Sequence, residues 1–183
     1  MKKFSSLENT PLLTHEPLSK EDIIKQVIEL QKQWGHYVTE QSPEFILELY
    51  KKKILRFEVD KEGKIIATLY IQPLAQSISI DDPDQVFRIG GFAISSSLNG
   101  KEAAKKILHQ LETEVLEKKW NVIGKTDSDN EELIRYLKNN GMEDLTYEEC
   151  KNKYPRFLDL YLKASKKREE EYYNQKFFVK TTH

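Results

Sequence analysis

The chain is poor in cysteine, has no excess charge of either sign and contains no long apolar run. Its 183 residues include one cysteine, Cys150, which excludes an internal disulfide bond and a cysteine-based zinc cluster. Its 29 basic and 30 acidic side chains leave a formal net charge of −1 at pH 7. Bulk electrostatics therefore do not favour a nucleic-acid partner.

No stretch approaches the roughly 20 apolar residues that span a bilayer. The start of the chain, Met1–Glu8, lacks the apolar core of a signal peptide. We therefore expect no membrane partner and, because a lone cysteine fits a reducing compartment, a cytoplasmic protein. The length favours a single domain over residues 1–183. Nothing in the residue spacing predicts a metal site.

Helix and strand signals are both present in the first half of the chain. Pro11–His15 is typical of a short strand, and Ser19 and Ser42 are N-cap signals, each followed by apolar residues at helical spacing. Two β-rich runs, Ile54–Val59 and Ile65–Ile71, flank a glycine-containing turn. That arrangement predicts a β-hairpin.

The second half combines strands with helices. Gln85–Ile94 is a strand pattern interrupted by Gly90 and Gly91, and paired glycines in a strand indicate a bulge or the close approach of another backbone. The pattern then predicts a helix over Gly100–Lys118, a strand over Trp120–Thr126, a helix over Asp129–Asn139, a short strand over Met142–Leu145, a helix near Pro155–Tyr172 and a strand over Lys176–Thr181. The expected fold class is α/β (mixed α+β), with helices on both faces of a mixed sheet.

A small polar loop, Ser95–Lys101, connects the Gln85–Ile94 strand to the long helix. A strand that turns through a glycine-containing loop into a helix directs several free backbone N–H groups at one point. That arrangement binds phosphate groups. The sequence therefore predicts an anionic cofactor at this junction.

From about Pro11 to Met142 the chain resembles the GNAT family of N-acyltransferases. In that family the fourth strand leads into an Arg/Gln-x-x-Gly-x-Gly/Ala turn and a helix, and Asn99–Ala104 aligns with this turn. An asparagine follows the family's fifth strand, and a Gly-Phe pair closes the next helix; Asn130 and the pair Gly141-Met142 have the same order and spacing. The resemblance implies a mostly antiparallel central sheet, split between its fourth and fifth strands.

The resemblance also implies an activity and a co-substrate. Acetyl-coenzyme A would bind between the two split strands, and an amine would attack its thioester directly. Backbone N–H groups from Asn99 to Ala104 would hold the diphosphate, and a strand N–H near Ile94 would polarise the acyl carbonyl. The residues that the resemblance assigns to the cofactor are Phe92, Ile94, Asn99, Gly100, Lys101, Glu102, Ala103, Ala104 and Asn130.

Two positions depart from the family pattern. Glu102 stands where the family has a glycine, and its carboxylate would crowd or repel a diphosphate unless the side chain points away. Leu137 stands where the family often has a tyrosine that protonates the leaving thiolate, while Tyr136 lies one residue earlier and about 100° around the helix. The alternative hypothesis is a GNAT-fold binding or regulatory protein that has lost catalysis.

The sequence assigns no catalytic residue. Glu58, Asp82 and Asp84 are conceivable general bases, although solvent-facing carboxylates are the simpler interpretation of all three. His36 and His109 have no partner at a recognisable spacing. The catalytic residues are therefore left unknown.

Some of the assigned residues also have a structural interpretation. Gly100 could simply relax the entry to a helix, Lys101 is also an ordinary surface lysine, and Asn99 and Asn130 are also helix-capping types. The acceptor stays open between a small-molecule amine, an amino-acid derivative and a protein amino group. A homodimer stays open as well.

Overall fold

The computed structural model of the chain describes residues 18–35, 41–74, 85–165 and 169–181. The expected strand over Pro11–His15 lies outside these ranges. The helices and strands are α1 Lys20–Lys32, α2 Pro43–Lys51, β1 Leu55–Val59, β2 Ile65–Pro73, β3 Val86–Ile94, α3 Leu98–Glu117, β4 Asn121–Asp127, α4 Glu131–Asn139, β5 Glu143–Leu145, α5 Tyr147–Lys153, α6 Pro155–Ser165 and β6 Gln175–Lys180. Within the described ranges, no helix is both long and apolar enough to cross a membrane.

The six strands form one sheet in the order β1-β2-β3-β4-β6-β5. Only β3 and β4 are parallel, and they pair over three residues, from Val86 opposite Asn121 to Arg88 opposite Ile123. Both strands continue beyond that point without pairing to each other. The sheet therefore opens between β3 and β4, which are the fourth and fifth strands if the expected strand over residues 11–15 is counted. The predicted split is confirmed.

The two glycines of β3 form the predicted bulge. Thr68 of β2 pairs with Ala93 and Tyr70 pairs with Gly90, so β3 contains one residue more than β2 between these pairs. Gly91 has a φ of +61°, which favours glycine. A Cβ on Gly90 would overlap the Tyr70 ring. The close approach is thus made by a side chain and not by another backbone.

Helices cover both faces of the sheet, as the sequence predicts. On one face, here called the α3 face, the apolar stripe of α3 packs on β2 and β3. The opposite face carries two separate apolar clusters, one beneath α1 and α2 and one beneath α5 and α6. We call it the α2/α6 face. The boundary between its two clusters lies over the split in the sheet.

The C-terminal third differs most from the sequence prediction. Of the single helix expected near Pro155–Tyr172, the structure shows α6 up to Ser165 and a 3-10 turn over Glu169–Tyr172, and residues 166–168 lie outside the described ranges. Tyr172, the last residue of this turn, is fully buried. The short helix α5 was not predicted, because only Tyr147 and Cys150 of its seven residues are buried.

Candidate active-site cleft

A cavity of about 320 Å³ occupies the split between β3 and β4 and is lined from both faces of the sheet. Its apolar half lies on the α3 face and is lined by Phe92, Leu108, Leu133, Leu137, Met142 and Phe178. Its polar half lies on the α2/α6 face and is lined by Phe45, Tyr70, Arg88, Lys125, Tyr161, Ser165 and Tyr172. Gly124 of β4 borders the cavity and leaves space that a larger side chain would occupy.

A second cavity of about 120 Å³ lies on the α3 face between the starts of α3 and α4. It shares Phe92 and Leu133 with the larger cavity. Trp34, Lys105, Glu132 and Tyr136 also line it. The sequence-predicted cofactor residues that it brings together are Phe92, Ile94, Lys101, Ala104 and Asn130.

Helix α3 begins two residues earlier than the sequence predicts. Ser97 is its N-cap: its Oγ accepts the N–H of Gly100 at 3.1 Å, and its carbonyl oxygen accepts the N–H of Lys101 at 3.3 Å. Beyond Lys101 the N–H groups belong to the helix interior. Within the described part of the chain, the unbonded N–H groups at this helix start are those of Leu98 and Asn99.

Gly100 has a steric reason to be glycine. A Cβ at this position would overlap the carbonyl oxygen of Ser95, where β3 ends. The glycine therefore lets the first turn of α3 pack directly against the end of the strand. The space it leaves is taken by the protein's own backbone.

Two lysines lie beside the second cavity, and each has an acidic partner. Lys101 Nζ is 3.2 Å from Glu132, and Lys105 Nζ is 2.8 Å from Glu102. The hydrogen bond to Glu102 raises the pKa of Lys105, so its ammonium group is charged at neutral pH. Because Lys105 lies about one turn after Glu102, the Glu102 carboxylate points along the helix toward its C-terminus and away from the free N–H groups of the first turn. Because these side chains are more than half exposed, both pairs are weak.

The remaining predicted cofactor residues have structural contacts. Asn130 caps α4, since its Oδ1 accepts the N–H of Leu133 at 3.3 Å and its Nδ2 donates to Thr126. The carbonyl oxygen of Ile94 accepts a hydrogen bond of 2.7 Å from the Trp34 indole. Ala103 is buried in the core of the α3 face. For Asn130, a capping role and a place beside the cavity occur together.

The two candidates for a general acid on α4 face different cavities. Leu137 lines the larger cavity, whereas Tyr136 lines the smaller one, as the 100° rotation between them requires. Desolvation raises the pKa of Tyr136. The tyrosines beside the larger cavity are Tyr70, Tyr161 and Tyr172, none of which the sequence singles out for chemistry.

The conceivable bases lie away from the cleft or outside the described residues. Glu58 forms an ion pair of 2.7 Å with Lys106 of α3 and lines neither cavity. His109 is exposed on α3. Asp82, Asp84 and His36 lie outside the described residues. Among the described residues that line the larger cavity there is no carboxylate and no histidine.

No protein-family model and no curated protein matches the sequence. Solved structures do match it over nearly its whole length. Ard1 from Thermoplasma volcanium is 14% identical, with a TM-score of 0.60 over 92% of this chain and 96% of that chain. A GNAT-family acetyltransferase from Staphylococcus aureus Mu50 is 12% identical, with a TM-score of 0.58 over 90% and 93%. Rv2747 from Mycobacterium tuberculosis, solved in complex with CoA, is 16% identical, with a TM-score of 0.57 over 89% and 95%.

At these identities the comparison shows the fold. The chain has the fold of the GNAT acetyltransferases, a mixed and mostly antiparallel sheet that opens between two parallel strands. The resemblance seen in the sequence is confirmed at that level.

Proposed function

We propose that the chain is an N-acyltransferase that moves an acetyl group, or a related acyl group, from its coenzyme A thioester to an amine by direct attack. The observation that carries the proposal is the cavity in the split sheet, because its linings on the two faces differ in chemistry. The apolar half suits a thioester and its pantetheine arm, and the polar half suits an amine. The shared fold with known acetyltransferases supports the same function.

The residues present fit a coenzyme A thioester. The N–H groups of Leu98 and Asn99 and the ammonium groups of Lys101 and Lys105 supply donors for phosphate groups. Phe92 joins the two cavities and supplies an apolar wall for the arm between them. To bind phosphates, both lysines must exchange or share their carboxylate partners. We therefore expect an affinity that decreases with ionic strength.

The chain contributes mainly by position. When bound, acetyl-coenzyme A supplies the thioester carbonyl carbon, to which the amine nitrogen bonds while the carbon–sulfur bond breaks and the thiolate takes up the proton that the nitrogen releases. The edge of β3 beyond Arg88 faces the split without a paired strand, so its main-chain N–H groups can polarise the acyl carbonyl. The cavity walls hold the amine beside this edge.

One observation favours a second candidate. The described lining of the larger cavity has no carboxylate or histidine to act as a base, and Leu137 occupies the position where a tyrosine acid would stand. A GNAT-fold protein that binds an acyl-coenzyme A without turning it over would fit these facts.

Calorimetry with acetyl-coenzyme A, followed by thiol-release assays with a panel of amines, separates the two candidates. We expect binding and turnover by the wild type, and loss of both in Gly124→Leu, because the added side chain fills the split. Thr113→Leu is the matched control, since Thr113 is exposed on α3 and lines neither cavity. Binding without turnover would favour the second candidate. No binding at millimolar cofactor would overturn both.

The cytoplasm is the proposed compartment. Burial raises the pKa of the Cys150 thiol to about 12, so this cysteine is an unreactive core residue and not half of an exposed disulfide. A homodimer remains a proposal. Light scattering on the purified chain tests it directly.

A further inference from the structure

Arg88 lies in the polar half of the cleft, at the last residue pair before β3 and β4 separate. Its guanidinium carbon is 5.5 Å from the ring centre of Tyr70 and 6.0 Å from that of Tyr161. Tyr70 belongs to the apolar cluster beneath α1 and α2, and Tyr161 to the cluster beneath α5 and α6. The two rings therefore hold the guanidinium at the boundary between the clusters, beside the open part of the sheet.

The guanidinium has fewer acceptors than donors. Nη2 donates to Oε1 of Gln72 at 2.9 Å. Nε is buried and has no hydrogen-bond partner among the described residues. No described acidic residue forms an ion pair with Arg88 or lines the cavity. Buried donors and charges in proteins are normally paired, so a guanidinium that borders a cavity and has no acidic partner among the described residues marks a place for an anionic ligand.

We infer that the acyl acceptor is a small amino acid and that Arg88 binds its carboxylate. This inference rests on the proposed function and deepens it. A planar guanidinium held between two rings presents parallel N–H donors, the geometry that matches a carboxylate. Gln72 holds one end of the group, and the Tyr70 hydroxyl also interacts with it. The guanidinium has five N–H donors, so further donors are left for the ligand.

The Arg88 guanidinium and the expected reaction site lie on the same face of the sheet and line the same cavity. Arg88 and Gly90 are two residues apart on one strand, so their Cα atoms are about 7 Å apart and both residues are oriented to the α2/α6 face. Gly90 and Gly91 lie at the open edge of β3, where the acyl group would be bound. A carboxylate bound by the Arg88 guanidinium would therefore lie on the same face as that edge, with the α-amino group two bonds from the carboxylate carbon and directed toward the acyl group. The nitrogen then forms the amide bond, and the products are an N-acyl amino acid and the free thiol.

The cavity favours a small carboxylate over the other anionic acceptors. Its volume of about 320 Å³ is at the low end for ligand sites and must also hold the acyl end of the co-substrate. A doubly charged phosphate is usually bound by several cations or by a helix N-terminus. In the described lining of the polar half there is no helix N-terminus, and the one cation besides Arg88 is Lys125, whose Nζ lies 5.8 Å from the centre of the Tyr172 ring. A free amino acid satisfies both the volume and the charge.

The test compares acceptors that differ only in the anionic group. Thiol release from acetyl-coenzyme A is measured with the common L-amino acids, their amides and the matching aminoalkylphosphonates. For the preferred side chain we expect the acid to exceed its amide by about 10- to 100-fold in kcat/KM, the factor that one charge-assisted pair supplies. Equal rates for acid and amide, or a preference for the phosphonate, would overturn the inference.

Two variants and a control assign the effect to Arg88. Arg88→Met approximately keeps the side-chain volume and removes the charge. It should lower kcat/KM for the amino acid but not for its amide, so that the two values differ by no more than a few-fold. Arg88→Lys should restore part of the preference. Arg135→Met, on the exposed surface of α4 and lining neither cavity, should leave the preference unchanged. An unchanged preference in a folded Arg88→Met protein would refute the assignment.

Binding measurements, which do not require turnover, separate this inference from the proposed function. If acetyl-coenzyme A does not bind, the transferase proposal fails, and calorimetry with the amino acids alone then decides the role of Arg88. Amino-acid binding that Arg88→Met abolishes would keep the carboxylate site. The absence of any amino-acid binding by the wild type would reject it.

Discussion

Gly100 places a tight steric limit on the junction between strand and helix. The first turn of α3 packs so closely on Ser95 that a single methyl group would overlap its carbonyl oxygen. The sequence resemblance assigns Gly100 to a phosphate, and the structure gives it a further role inside the fold.

Gly100→Ala tests that role. We expect it to lower the free energy of unfolding by about 1–2 kcal/mol, because severe overpacking against a backbone atom costs about 3 kcal/mol and outweighs the roughly 1 kcal/mol that alanine gains over glycine in a helix. Urea denaturation measures the change. Gly124→Ala is the control, since its Cβ would meet its nearest neighbour at 3.6 Å and should be tolerated. Equal free energies of unfolding for the wild type and Gly100→Ala would contradict this prediction and show that the backbone at the junction can move to accept a Cβ.

Glu102→Gln tests the effect of the acidic residue that departs from the family pattern. The change frees Lys105 from its carboxylate partner. We expect affinity for coenzyme A to rise about two- to fivefold, the scale of an exposed ion pair, and the gain to shrink at high salt. Calorimetry at two ionic strengths measures it. Glu117→Gln, at the far end of α3, should change nothing. A loss of affinity would mean that Glu102 itself supports the bound cofactor.

Arg88, the side chain that gives the polar half its charge beside Lys125, was not identified from the sequence. Arg88 occurs within a strand otherwise rich in apolar residues. Its position at the cavity depends on the rings of Tyr70 and Tyr161, which pack on its guanidinium group. The available signal was a single charge in a strand of a sheet expected to be covered on both faces. Contacts between residues so distant in sequence leave no local pattern.

At the level of elements, local chemistry predicted well wherever caps and apolar periodicity agreed. Ser19 and Ser42 cap α1 and α2 as expected, and the stripe of α3 is buried. Helix α5 was missed because its apolar face is short, although Thr146 and Glu149 form a capping box that the sequence displays. The 3-10 turn over Glu169–Tyr172 was not predicted, and it ends in Tyr172, whose burial against residues distant in sequence leaves no local signal.

The capping box of α5 predicts a pH-dependent stability. The hydrogen bond from the backbone N–H of Thr146 lowers the pKa of Glu149 below its ordinary value of 4.5. A carboxylate whose pKa is lower in the folded state than in the unfolded state stabilises the fold. This stabilisation is complete above the unfolded-state pKa and is lost as the pH falls through the folded-state pKa. Glu149→Gln should therefore have a lower Tm than the wild type at pH 7, and the difference should narrow below pH 4.5.

Thermal unfolding across this pH range measures the difference. Glu148→Gln is the control, because the adjacent carboxylate is exposed and takes no part in the capping box. A constant difference at all pH values would show that the carboxylate's charge is not what stabilises α5.

At the scale of the whole molecule, the sheet consists of two parts joined by a short stretch of pairing. The strands β1 to β3 lie on one side and β4 to β6 on the other, and three residue pairs connect them. A ligand bound in the split would contact both parts and add to this connection. The overall architecture was predictable because strand order follows the family resemblance, whereas the cavity depends on how far the two parts separate.

Coenzyme A should therefore stabilise the chain as a whole. At 100 times its Kd, a ligand that binds only the folded state adds about 2.7 kcal/mol. In hydrogen exchange we expect slower exchange of residues 89–94 and 124–127, on the two edges of the split, with little change in α5. The Gly124→Leu variant should show no response. Protection confined to surface helices would place the ligand elsewhere.

The indole of Trp34 gives the molecule its own optical reporter. The chain has two tryptophans, and they lie in different environments. Trp34 borders the smaller cavity and donates to the end of β3, whereas Trp120 is buried against Phe87. A cofactor that enters should shift or quench the fluorescence of Trp34 and not that of Trp120. In Trp34→Phe the remaining fluorescence, from Trp120, should therefore not change when the cofactor is added. Occupancy of the cleft can thus be followed in real time, without a label and before any acceptor is known.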